Sequence, residues 1–235
     1  MRTAAILPVK RFSAAKQRLG ASVGEVVRAE LARAMVADVL SALARTRSLE
    51  RMIVITDERS VAAAAREVGA LVLADSAAAG QSAAVEIGAR RALADGSERV
   101  LCVPGDCPAL DPAELERLLH RARGDDELGR ASAPQVVIVP DRHGTGTNGL
   151  LLTPPDAIRP SFGPGSAERH RALARAAGAS VRLAHPPSLL LDIDTGADLD
   201  ALRKRLSGAG SAAAQTRAVL GRAERPHILS GASSS

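Results

Sequence analysis

The chain has 235 residues, 46% of them hydrophobic, which is enough for one sizeable core and favours a single α/β domain. Aromatic residues make up 1%, with two Phe and no Trp or Tyr, so the core is aliphatic and a surface that stacks nucleic-acid bases on rings is disfavoured. The formal charge of +5 comes from 28 Arg and 3 Lys scattered among acids, with no long basic run to mark a nucleic-acid face.

Residues 3–9 form a short apolar run closed by Pro8, which predicts a first buried strand. The run is too short for a signal peptide or a membrane span. The loop after it carries Lys10, Lys16 and Arg18, three cations within nine residues. Such a loop can wrap a triphosphate with backbone N–H groups and cationic side chains; a solvated basic loop is the plainer alternative. Neither a P-loop nor a dinucleotide-binding fingerprint follows this strand.

Val27, Leu31, Met35, Val39 and Leu43 recur every four residues and predict a helix over 24–46. Residues 52–56 (MIVIT) read as a buried parallel strand, followed by a helix at 59–68 and a strand at 70–74. A helix is expected over 81–94 and a strand over 99–103. That strand runs into Pro104-Gly-Asp-Cys-Pro108, which sets Asp106 at a strand's carboxyl end, where a carboxylate can hold Mg²⁺. An Asp that only shapes the turn is the alternative. Cys102 reads as a small core residue, and Cys107 as a buried or, less simply, a reactive thiol. Two cysteines make no disulfide or metal framework, which fits a reducing, cytoplasmic location.

Asp111 can cap a helix opening with Pro112. Strands are expected over 135–139 and 149–153, separated by the Gly-rich His143-Gly-Thr-Gly-Thr-Asn-Gly149. Phe162-Gly-Pro-Gly-Ser166 opens a helix to about 176, with Arg169 and His170 near its first turn. Helix N-termini attract anions. Further strands are expected over 180–184 and 188–193. Asp192 and Asp194, two apart in an extended stretch, point to one side and repel unless a cation lies between them. Thr195 caps a last helix to about 205, with Asp198 closing a capping box, a structural role. From 207 the chain is rich in Ala, Gly and Ser without a convincing apolar face, so residues 1–206 are expected to form the domain and 207–235 a disordered tail.

Strands alternating with helices predict an α/β fold with a mixed, mainly parallel sheet in three layers. Ligands in such sheets bind beyond the carboxyl ends of the strands, where each polar cluster above falls. No nucleophile elbow or His-Glu-x-x-His pair is present, so hydrolase and zinc chemistry have little support.

Taken together, Pro8-Val-Lys-Arg-Phe-Ser-Ala-Ala-Lys-Gln-Arg-Leu19, Pro104-Gly-Asp-Cys-Pro108, Thr145-Gly-Thr-Asn148, Phe162-Gly-Pro-Gly-Ser166 and Asp192-Ile-Asp-Thr195 resemble the phosphoenolpyruvate / 2-phospho-L-lactate guanylyltransferases of coenzyme F-420 biosynthesis, in the same order from residue 3 to about 205. The resemblance implies a GT-A-like, Rossmann-related nucleotidyltransferase fold, GTP as donor, pyrophosphate as leaving group, and phosphoenolpyruvate or 2-phospho-L-lactate as acceptor. It leaves room for handover of the product to the next enzyme of that pathway.

By the same resemblance, Lys10, Lys16, Arg18 and Asp106 are expected to be catalytic. Thr147, Gly163 and Ser166 would contact the acceptor, with Thr145 in place of Thr147 if the Gly-rich loop aligns two residues earlier. Pro8, Gly80, Gln81 and Ser82 would contact the nucleotide, and Mg²⁺ would sit on Asp106 with Asp192 or Asp194. One departure touches nucleobase choice: Gly80-Gln-Ser-Ala-Ala84 stands where the family often has Gly-Leu-Asn-Ala-Ala. Two rival readings stay open: the same fold acting on a sugar phosphate or a molybdopterin-type acceptor, and a non-catalytic nucleotide-binding protein.

Overall fold

A computed structural model describes residues 1–12, 24–75, 80–124, 134–207 and 212–223. The elements run β1 (Thr3–Val9), α1 (Glu25–Ala44), β2 (Arg51–Thr56), α2 (Arg59–Glu67), β3 (Leu71–Leu73), α3 (Gln81–Ala94), β4 (Arg99–Cys102) and α4 (Pro112–Gly124). They continue with β5 (Gln135–Pro140), β6 (Thr147–Thr153), α5 (Ser166–Ala176), β7 (Ser180–Leu183), α6 (Gly196–Leu206) and α7 (Ala214–Ala223).

The strands make one seven-stranded sheet in the order β3-β2-β1-β4-β6-β5-β7. β1 is parallel to both β2 and β4, β2 is parallel to β3, and β5 is parallel to β7. β6 is antiparallel to β4 and β5, so it alone runs against the rest. The sheet is mixed and mainly parallel, as the sequence predicts. Its inner strands, from β2 to β5 across the sheet, are buried on both faces because helices cover both.

Strand alternation divides the core. Leu7, Val54, Leu101 and Val137 face one layer with α1, α2 and α4. Ile6, Ile53, Val100 and Ile138 face the other, with α3 and α5. In α1 the four-residue spacing holds: Leu31, Met35, Val39 and Leu43 are all buried. Asp111 caps α4 as expected, its Oδ1 accepting from the Ala113 N–H at 2.8 Å. Among the described residues no helix is long and apolar enough to cross a membrane.

The structure departs from the sequence reading in two places. The strand expected over 188–193 is absent; a 3₁₀ turn spans Pro187–Leu189 and irregular chain follows. Leu189, Leu191 and Ile193 are buried as a strand face would be. However, Pro186 and Pro187 lack donors, the Ser188 N–H goes to the Glu114 carboxylate at 2.7 Å, and the Ile193 N–H goes to the Asp106 carbonyl at 3.1 Å. The N–H groups of Leu189 and Leu190 turn back to the Pro186 and Pro187 carbonyls, so most of the segment's donors are spent outside a ladder.

The second departure is the tail. Residues 207–235 are expected to be disordered, yet α7 lies within them. Ala213, Val219 and Leu220 pack with Leu31 and Met35 of α1 and Leu199 and Leu202 of α6. Two apolar side chains and several alanines pack there against apolar residues of α1 and α6, a tertiary effect that local composition does not reveal. The last residues, 224–235, lie outside the described residues.

Candidate active site

The strand order turns at β1, with β2 and β3 on one side and β4 on the other. Ligands bind beyond the strand ends at such a switch point. There a cleft of about 320 Å³ is lined by Pro8, Lys10 and Phe12 after β1, Gly80 and Gln81 at the start of α3, and Asp106 and Asp194. Met35 and Val36 of α1 form one wall. The turn after β4 passes close beneath that wall: a Cβ on Gly105 would lie 3.0 Å from Val36 Cγ2, so glycine permits the approach. Lys16 and Arg18 lie outside the described residues.

The two acidic segments are joined through the backbone. The bond from Ile193 N–H to the Asp106 carbonyl sets Asp194 opposite the turn that carries Asp106. Asp192 is held at the side, accepting from Asn148 Nδ2 at 3.1 Å. Burial raises its carboxyl above the usual range, and the nearby charges of Asp106 and Asp194 add to this, against the lowering effect of the Asn148 bond.

Among the described residues no three His, Cys, Asp or Glu converge as a ready metal cage. Magnesium does not require one: it keeps several waters and is commonly held by one or two carboxylates plus substrate phosphates. The mutual repulsion and hard oxygen character of these acids fit such a cation. Asp198 has the structural role expected of it. It caps α6 with Thr195 and pairs with Arg142, and these contacts outweigh burial and lower its carboxyl's pKa.

A second cluster adjoins the cleft. Between β5 and β6 the register shifts by one residue, with Val139 opposite Gly149 and Pro140 opposite Thr147. Such a bulge interrupts the alternation and re-aims a side chain. Thr147 thereby meets α5: its Oγ1 accepts from Ser166 Oγ at 3.0 Å and lies 3.1 Å from His170 Nδ1. Gly163, in the loop before α5, adopts φ +108°, a conformation that L side chains rarely take. Thr145 instead belongs to the outer turn, where its N–H donates to Asp141 Oδ1 at 2.9 Å.

The N-terminus of α5 is less open to an anion than the sequence implies. The Ser166 N–H goes to the Gly163 carbonyl and the Ala167 N–H to the Thr145 carbonyl. Among the described residues, two hydrogen bonds tie this cluster to segments that border the cleft. One is Asn148 to Asp192, and the other runs from the Phe162 N–H to Ser82 Oγ at 2.8 Å.

The structure therefore brings Pro8, Lys10, Gly80, Gln81, Asp106 and Asp194 around one cleft and gathers Thr147, Gly163 and Ser166 beside it. Ser82 is expected to face the nucleotide, but its hydroxyl accepts the Phe162 N–H and serves the loop before α5. Cys107 is fully buried. His170 was not among the expected site residues. It sits four residues after Ser166, so both lie on one face of α5, and that spacing is the signal that could have found it.

The family described as "Guanylyl transferase CofC like" matches residues 3–217. A relative from Conexibacter woesei, named phosphoenolpyruvate guanylyltransferase, is 49% identical over 220 residues, covering 94% of this chain and 96% of its own. A structure from Desulfovibrio desulfuricans G20, described for nucleotide-diphospho-sugar transfer, superposes with a TM-score of 0.71 at 20% identity, covering 94% of this chain and 95% of its own. The structure of CMP:2-keto-3-deoxy-manno-octonic acid synthetase complexed with CTP superposes with a TM-score of 0.53 at 14% identity, covering 88% and 99%. The likeness of these two structures is one of fold, the GT-A-like nucleotidyltransferase fold.

Proposed function

The chain belongs to the CofC-like guanylyl transferases, and from that membership we propose that it transfers GMP from GTP to phosphoenolpyruvate, with release of pyrophosphate. Membership makes it a nucleotidyltransferase; the acceptor is taken from the names of its relatives. 2-Phospho-L-lactate is the alternative acceptor, and coenzyme F-420 biosynthesis is the proposed setting. The observation that carries the reading is the cleft at the switch point, where Lys10, the start of α3, Asp106 and Asp194 meet from four separate segments.

The chemistry asks little of the protein beyond placement. A phosphate monoester oxygen is already anionic at neutral pH, so no general base is needed. That oxygen attacks the α-phosphorus of GTP; the new O–P bond forms as the bond to the departing pyrophosphate breaks. Catalysis is then positioning and charge neutralisation. Lys10 meets the negative charge that builds on the leaving phosphates. Asp106 and Asp194, with Asp192 beside them, would hold Mg²⁺, which when bound supplies neutralising charge to phosphate oxygens. Gly80 and Gln81 stand where the nucleoside would lie against the start of α3.

The test is pyrophosphate release with GTP and Mg²⁺, offering phosphoenolpyruvate and 2-phospho-L-lactate separately, with Asp106→Asn as control. Release with phosphoenolpyruvate, lost by at least about 10²-fold in the control, is expected. Release with another triphosphate and none with GTP would overturn the donor assignment. No release with any pairing would overturn the activity.

A further inference from the structure

We propose that His170 is a positioning residue for the acceptor: it fixes the Thr147 hydroxyl so that its hydrogen is directed at an anionic oxygen of the phosphorylated acid. The inference rests on the reading of this site as a transferase with such an acceptor.

His170 is completely buried. Its Nε2 accepts the backbone N–H of Ser161 at 2.9 Å. In the neutral ring the proton is therefore on Nδ1, which faces Thr147 Oγ1 at 3.1 Å and donates to it. Ser166 Oγ donates to the same oxygen at 3.0 Å. A hydroxyl has two acceptor lone pairs and one hydrogen. With both lone pairs engaged, the Thr147 hydrogen is left to donate outside the trio. The next residue, Asn148, bonds to Asp192, so Thr147 stands at the boundary between this cluster and the acids.

The ring is held in place on several sides. Phe162 packs edge-on at 5.0 Å between centroids. Arg169 folds back onto the Ser161, Pro164 and Phe162 carbonyls. A protonated ring would present two donors and lose the Ser161 bond. Burial, helped by the Arg169 charge, pushes the His170 pKa down to about 4 and keeps the ring neutral. The carbonyl–guanidinium clamp and the neutral imidazole thus hold the loop of residues 161–166 and the Thr147 hydroxyl in one arrangement, with no positive charge from the imidazole.

The experiment compares wild type, His170→Phe and His170→Asn. KM and kcat are measured for the acceptor at saturating GTP and for GTP at saturating acceptor. Phe fills the ring's volume without hydrogen bonds; Asn can still offer an N–H near the Nδ1 position. His170→Phe is expected to raise the acceptor KM roughly tenfold or more, the loss of about one hydrogen bond, with the GTP KM within about twofold. His170→Asn is expected to recover the acceptor KM to within roughly threefold of wild type.

An unchanged acceptor KM in folded His170→Phe would overturn the role, as would equal rises for both substrates without rescue by Asn. Proton–nitrogen correlation spectra of the wild type give a reading independent of the variants' folding. The Nδ1–H tautomer is expected, and the Nε2–H tautomer would overturn the proposal. Wild-type protein that releases no pyrophosphate from GTP sinks the transferase reading and this assignment with it. Active wild type with an unmoved KM in the variant sinks the role of His170 alone.

Discussion

At the residue scale, His170 links the candidate site to stability. Its pKa lies near 4 in the fold against 6.5 for the ordinary side chain, chiefly because of burial and then because of Arg169. The fold therefore binds the proton less readily than the unfolded chain does. The associated stability is fully present above about pH 6.5 and is lost as pH falls toward 4. Each unit of depression corresponds to about 1.4 kcal/mol, so the window spans at most roughly 3–4 kcal/mol. Denaturant midpoints measured between pH 7.5 and 4.5 should fall more steeply for wild type than for His170→Phe. Parallel curves would show that the buried imidazole does not set this slope.

Legibility differed among the site residues for a physical reason. Lys10 and Asp106 follow strands directly, and the switch-point rule places them without knowledge of packing. The direction of Thr147 was not legible, because the one-residue register shift beside it is a property of the paired strands and leaves no mark in composition. The diversion of Ser82 to the Phe162 amide likewise depends on contact between segments 80 residues apart.

Elements with a clear period were legible: the four-residue spacing of α1 and the β-branched runs of β2 and β5 match their observed bounds closely. The segment at 188–193 was not, since its buried residues alternate like a strand while the N–H groups of Ser188, Leu189, Leu190 and Ile193 are spent elsewhere. α7 is not legible in the sequence because its stability is borrowed. Asp38 of α1 accepts the Gln215 N–H at 3.0 Å and the Thr216 N–H at 2.8 Å, so one helix supplies the N-terminal cap of another. Asp38→Ala removes that cap at a cost of about 1 kcal/mol, up to about 2 in a buried setting. Amide hydrogen exchange should then speed up across residues 214–223 while the sheet keeps its protection. Unchanged exchange in that helix would mean the cap contributes nothing to holding it.

For the whole molecule, the two layers on the sheet are supplemented by a third apolar cluster, in which α1 is gripped by α6 and α7. The same α1 presents Met35 and Val36 to the cleft. A boundary at 206 would therefore cut through a packed unit, contrary to the expectation of a self-sufficient domain ending there. Ending the chain after Leu206, with a chain ended after Ala223 as the reference, exposes the surfaces that Val219 and Leu220 cover. Two buried aliphatic side chains of this size are worth roughly 1.5–3 kcal/mol each. At about 2–4 °C per kcal/mol for a chain of this length, the shorter form should melt on the order of 10 °C lower. Its KM for the nucleotide should rise as well, because the α1 wall of the cleft loses its outer support. Equal melting temperatures for the two forms would show that α7 rests on the surface without sharing the core, and the domain would then end at residue 206.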